Sequence, residues 1–214
     1  AFDEDADHRG LVVLHEEVDV VLDRHAGLVA AGHDVAQPEP ALADEMLGMG
    51  PVERLTYREA YLRHAGVDPF ENPGTDEIDL YLDLILTRQV EPHLGQGRPI
   101  ILYDYPASQS ALARVREESP PVAERFELYV RGMELANGYH ELLDPDILRK
   151  RNRTNNQLRQ DDGKPPLPAD SRLLAAMDHG LPPCSGCALG FDRLVMAATG
   201  AKTIQEVMAF PIDR

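Results

Sequence analysis

Residues 124–142 read ERFELYVRGMELANGYHEL, and the fold follows from how this stretch alternates. In an extended chain Phe126, Leu128 and Val130 share one face, with Glu127, Tyr129 and Arg131 on the other. Arg131-Gly132 supplies a turn and Met133 to Leu142 returns as a second strand, so the stretch predicts a β-hairpin. Upstream of it, Pro99 to Tyr105 (PIILYDY) is a short apolar run bounded by Gly and Pro, the pattern of a buried strand. Downstream, the polar segment 145–170 predicts a helix and a Pro-rich loop, with a mobile segment as the alternative. Ser171 to Gly180 reads as a helix, and the small residues Cys184 to Gly190 lead into another over Asp192 to Thr199.

Further upstream the period becomes helical. Thr56-Tyr57-Arg58-Glu59 is a capping box that starts a helix with Tyr57, Ala60 and Tyr61 inward and Gly66 just past its end. Ile78, Leu82, Ile85 and Leu86 predict a second helix over Asp76 to Gln89, stopped by Pro92 and Gly95. The three-and-four spacing of apolar residues from Leu11 to Ala31 predicts a helix there, and Gly32 to Pro51 a loop with a short helix over Ala41 to Leu47. Helices first and antiparallel strands later give an α+β class.

The chain has 214 residues, with 21 Lys+Arg against 37 Asp+Glu and a net charge of −16. Its longest cationic run is Arg149-Lys150-Arg151, which leaves no footprint for nucleic-acid backbone binding. Nothing in it approaches 18 unbroken apolar residues and the start is acidic, so the expectation is a soluble cytoplasmic chain without membrane span or signal peptide.

Four places can carry chemistry. Glu127 and Glu134 lie on opposite arms of the hairpin, and like charges kept close on adjacent strands call for a cation or a shared proton. Mg2+ suits such a pair, because it takes one or two carboxylates plus substrate phosphates; two solvated strand carboxylates are the plain alternative. Glu134 differs in parity from Asn137 and Glu141, so they converge only where the pleat breaks, for which Ala136-Asn137-Gly138 is the candidate. Asn137 and a buried Glu141 would then grip an amino acid, amide to carboxylate and carboxylate to ammonium; a surface Glu after a turn is the alternative.

In Ser185-Gly186-Cys187-Ala188-Leu189-Gly190-Phe191-Asp192-Arg193, small residues strip side chains from a strand so that a flat ligand can lie on the backbone. Arg193 could then reach a phosphate or stack on a base; close strand packing is the competing explanation. Cys184-Ser185-Gly186-Cys187 holds both cysteines in a CxxC. It lacks the βαβ context of a redox pair and the second half of a zinc site, and reads mainly as two buried thiols.

Together these segments, with YDYPASQSALA before them and EVMAFPIDR after, resemble the class II lysyl-tRNA synthetases. The likeness is narrower to their truncated paralogues that ligate lysine to elongation factor P, and is strongest from Pro99 to Arg214. It implies a partial class II antiparallel sheet flanked by helices, forming one catalytic domain over 1–214. By resemblance, Glu127 and Glu134 hold Mg2+ on ATP phosphates, with Glu134 and Arg193 catalytic. Asn137 meets the amino-acid carboxylate and Glu141 the side-chain amine. Gly186, Gly190 and Arg193 line the ATP pocket. Ala188 stands where lysyl-tRNA synthetases carry Gly, which implies the protein-ligating branch and (R)-β-lysine. ATP and Mg2+ are the implied cofactors, elongation factor P the acceptor in place of tRNA, and a homodimer the form of the full-length protein. Motifs 1 and 2 of the family are not found, so the expectation is a C-terminal portion or a shortened paralogue. A noncatalytic amino-acid or nucleotide binding module and a tRNA ligase fragment are the alternative functions.

Overall fold

The computed structural model describes residues 12–15, 47–75 and 77–211. Its centre is a seven-stranded sheet: β1 (Val12–His15), β2 (Glu53–Thr56), β3 (Ile100–Pro106), β4 (Val115–Arg116), β5 (Val122–Val130), β6 (Met133–His140) and β7 (Cys184–Leu189). The order is β1-β7-β6-β5-β3-β2, with β4 on the end of β5. Only β2 and β3 run parallel; every other pair is antiparallel. The helices are α1 (Tyr57–His64), α2 (Ile78–Ile85), α3 (Pro145–Asp161), α4 (Arg172–His179) and α5 (Phe191–Thr199). This is the α+β arrangement expected, a mostly antiparallel sheet flanked by helices.

The sheet is a partition between two cores. On one face Tyr57 and Tyr61 of α1 and Leu82 of α2 pack with Leu102, Tyr105 and Tyr129. On the other, Ile101, Phe126, Leu128 and Val130 pack with Leu194 and Ala197 of α5. The alternation of β5 thus sorts its residues as its sequence dictates. Both faces being covered, β5 is buried at eight of its nine positions, including the charged Glu124 and Glu127.

The local signals explain the elements. Thr56 and Glu59 close the capping box of α1, and its backbone ends at Gly66, whose φ is 67°. The hairpin turns at Arg131 and Gly132, both with positive φ (52° and 74°), as a tight two-residue turn between right-twisted strands requires. Arg131 adopts this conformation without being Gly; its Nη1 donates to Ala197 O at 2.8 Å, anchoring the turn to the end of α5.

Two expectations need correction. The Leu11–Ala31 helix does not begin as one: Val12–His15 is a strand, paired with β7. The uninterrupted run Leu11-Val12-Val13-Leu14, with two adjacent β-branched residues, favours extension over the helical spacing that Leu11 and Leu14 also satisfy. The remainder of that segment, and all of the Ala41–Leu47 helix but Leu47, lie outside the described residues. The Asp76–Gln89 helix splits into α2 and a π-helical turn, Leu86–Val90, followed by a 3-10 turn at Glu91–His93.

Candidate active site

The candidate residues meet on the α1/α2 side of the sheet because of one irregularity. Leu128 pairs with Ala136, but Tyr129 pairs with Glu134, so Leu135 is an extra residue in β6. Leu135 and Ala136 both enter the core behind the sheet, and Glu134 is thereby brought to the same face as Asn137. The pleat does break, as convergence demanded, but at Leu135, one position before the expected Ala136-Asn137-Gly138.

Register then arranges the face. Glu127 stands opposite Asn137, and Glu134 opposite Tyr129, so the two carboxylates are diagonal neighbours and not a facing pair. Each is held by donors. Tyr129 donates to Glu127 Oε2 at 2.6 Å, and Arg125 pairs with Glu127 Oε1. Asn137 Nδ2 donates to Glu134 Oε1 at 2.8 Å, and Arg193 Nη1 lies 3.3 Å from Glu134 Oε2 and donates to the Glu134 carbonyl at 2.9 Å. Arg193 sits in the first turn of α5, and Gly190, whose missing Cβ would lie 3.4 Å from Arg193 Cδ, gives its side chain room to fold back.

β7 supplies the floor. Asn137 pairs with Ala188 and Tyr139 with Gly186, so Gly186 and Ala188 belong to the site face and leave it nearly bare of side chains. Gly138, between them on β6, is required by packing: a Cβ there would meet Phe126 Cε1 at 2.5 Å and Gly186 O at 2.6 Å. Cys184 and Cys187, three apart on a strand, point to opposite faces, which removes them as a redox or metal pair.

Glu141 lies at the far end of the row. Its N–H donates to Cys184 O at 3.0 Å, which continues the β6/β7 ladder beyond His140. The carboxylate is half-buried and makes no hydrogen bond or ion pair among the described residues; burial alone pushes its pKa up. A carboxylate in that state offers an open position for a cation. Sequence reasoning missed Glu91, which the turn after α2 brings to 3.2 Å from the Tyr129 hydroxyl. Burial and then the charges of Glu127 and Glu134 raise its pKa. Its placement depends on Gly95, whose absent Cβ would collide with Tyr129 O at 2.5 Å. That is tertiary contact with no local periodicity to reveal it.

Among the described residues no group of three His, Cys, Asp or Glu side chains stands ready to hold a metal ion. Glu127 and Glu134 would suit a Mg2+ ion that takes its other ligands from phosphates and water, since each carboxylate oxygen, engaged by one donor, keeps a second lone pair.

Residues 29–214 match the family model of tRNA synthetases class II (D, K and N). A protein of Klebsiella pneumoniae (strain 342), "Elongation factor P--(R)-beta-lysine ligase", is 43% identical over 191 residues, covering 81% of this chain and 59% of the relative. Proteins of the same name from Yersinia enterocolitica and Salmonella typhi are each 42% identical over the same shares. The chain spans about three-fifths of the length of these curated relatives.

Proposed function

This chain belongs to the class II tRNA synthetases, and from that premise we propose that it carries the amino-acid and nucleotide sites of an ATP-dependent lysine ligase. The acid activated is lysine or (R)-β-lysine, and the acceptor is a lysine side chain of elongation factor P. The observation that carries this reading is the row Asn137 to Glu141 on one face, an amide at one end and, at the other, a half-buried carboxylate without a partner among the described residues. Four residues along a strand span about 13 Å, a length suited to an amino acid with an ammonium at the end of its side chain.

The reaction has two steps. An oxygen of the amino-acid carboxylate attacks the α-phosphorus of ATP, forming a mixed anhydride and releasing pyrophosphate. The neutral ε-amine of the acceptor then attacks the acyl carbon, and an amide forms as AMP leaves and the amine gives up a proton. Asn137 orients the attacking carboxylate, Glu141 fixes the other end, and Arg193 offsets charge gathering on the phosphate. Gly186 and Gly190, bare of side chains, let the nucleotide lie against the backbone, and Ala188 borders the amino acid. Bound between Glu127 and Glu134, Mg2+ would neutralise phosphate charge as a Lewis acid.

A protein acceptor is supported by the charge of −16 and by the use made of the one basic run. Arg149 pairs with Asp146 and Asp178, and Arg151 donates to the carbonyls of Ala111 and Ala113, so neither guanidinium is offered to a phosphate backbone. Among the described residues no helix is long and apolar enough to cross a membrane. The test is transfer: incubation with ATP, Mg2+, (R)-β-lysine and elongation factor P adds one lysyl mass to a single lysine of the acceptor. Aminoacylation of tRNA in place of that modification would overturn the assignment of acceptor.

A further inference from the structure

We propose that Cys184 is the inner wall of the amine subsite and sets how far a side-chain ammonium can reach toward Glu141. This inference rests on the reading of Glu141 as the amine-binding carboxylate. In the pleat of β7, Cys184, Gly186 and Ala188 alternate onto one face, and Gly186 has no side chain. Along β7, moving from Ala188 toward the Glu141 end, the first side chain of any size on that face is therefore Cys184; Tyr139 of β6, paired with Gly186, shares the face.

The Glu141 N–H to Cys184 O bond of 3.0 Å makes these residues cross-strand neighbours. Such neighbours carry Cβ atoms about 5 Å apart. Cys184 is only 9% exposed, so its sulfur is packed and not a surface thiol. A thiol is a weak donor, and no other group among the described residues donates to the Glu141 carboxylate. Burial and then the negative charge of Glu141 raise the Cys184 pKa, which places the two groups within electrostatic reach. Cys187 is the internal control: it faces the opposite core with Phe126 and Leu194, and burial pushes its thiol up to about 12.

The experiment measures modification of each thiol of the purified protein by methyl methanethiosulfonate, resolved by fragment-ion mass spectrometry, with and without saturating L-lysine. Lysine is expected to slow modification of Cys184 at least about ten-fold and to leave the slow rate of Cys187 unchanged. A second arm compares Cys184→Ala with Cys184→Leu by calorimetry. Added methylenes in a packed site weaken lysine binding about ten-fold or more, whereas Ala holds it within about three-fold and ATP affinity is unchanged in both. Cys184→Ala keeps the arm informative if the larger variant fails to fold. Lysine binding with unchanged Cys184 reactivity overturns the placement alone; absence of lysine binding to the unmodified protein overturns it together with the reading of Glu141.

Discussion

Glu134 and Asn137, three residues apart on one strand, hydrogen-bond through their side chains at 2.8 Å because Leu135 bulges out of the ladder. A regular pleat would point them to opposite faces. The bulge thus joins the Glu127/Glu134 carboxylates to the row that runs from Asn137 to Glu141. Asn137→Ala removes the amide and leaves Glu134 Oε1 without its donor. Because a hydrogen bond to a charged group is worth about 1.5–3 kcal/mol, lysine affinity should fall about ten- to hundred-fold, measured by calorimetry, with the fold intact by circular dichroism.

Glu141 gives a prediction with opposite signs for binding and stability. Burial holds its carboxyl above the ordinary value of 4.5, so as pH falls it takes up a proton earlier than an exposed Glu. Lysine binding should accordingly weaken at a higher pH than it would with an exposed Glu in that place. For folding, a raised pKa means that the group's favourable contribution is present below the unfolded value and is lost as pH rises through the folded one. Glu141→Gln should therefore melt at a higher temperature than the parent at neutral pH, while lysine affinity falls about a hundred-fold. Scanning calorimetry and titration calorimetry on the same samples check both signs.

Gly138→Ala tests the seam between β6 and β7. The added methyl meets Phe126 Cε1 at 2.5 Å and the Gly186 carbonyl at 2.6 Å, and a backbone carbonyl cannot swing away as a side chain can. Destabilisation of about 1–3 kcal/mol or more is expected. Its readout is a lower denaturant midpoint at unchanged slope, accompanied by weaker ATP binding as β7 shifts.

Arg193 touches Glu134 through both the carboxylate and the backbone carbonyl. Arg193→Lys keeps the charge but loses the planar fork, so it should not restore function. Removing a charge-stabilising donor of this kind costs about 10²–10³ in rate. Arg193→Ala and Arg193→Lys should both fall to that extent in ATP–pyrophosphate exchange, with lysine affinity nearly unchanged.

The hairpin, the capping box of α1 and the face assignment of Phe126, Leu128 and Val130 were legible because each follows from a local period or from residues within one turn. The membership of Glu127, Glu134, Asn137 and Glu141 in a common site was legible in part: parity demanded a break in β6, but nothing local marked Leu135 as its position. That choice belongs to tertiary packing, since Leu135 fills the core against α5. Glu91 and Arg125 were illegible for a related reason, as both reach the site through contacts with residues distant in sequence or through the burial of β5. Val12–His15 misled because Leu11 and Leu14 also fit the helical spacing that continues to Ala31, whereas the adjacent β-branched Val12 and Val13 favour the strand that pairs with β7.

The proposed function joins Glu141 and the Glu127/Glu134 pair in one reaction, activation of a lysine-type amino acid by ATP. The most direct measurement is Mg2+-dependent ATP–pyrophosphate exchange by the purified protein, with L-lysine and (R)-β-lysine, compared with Glu141→Ala. Exchange is expected to depend on one or both lysine isomers and to be lost in Glu141→Ala. Absence of exchange with either isomer, or exchange undiminished in Glu141→Ala, would contradict it.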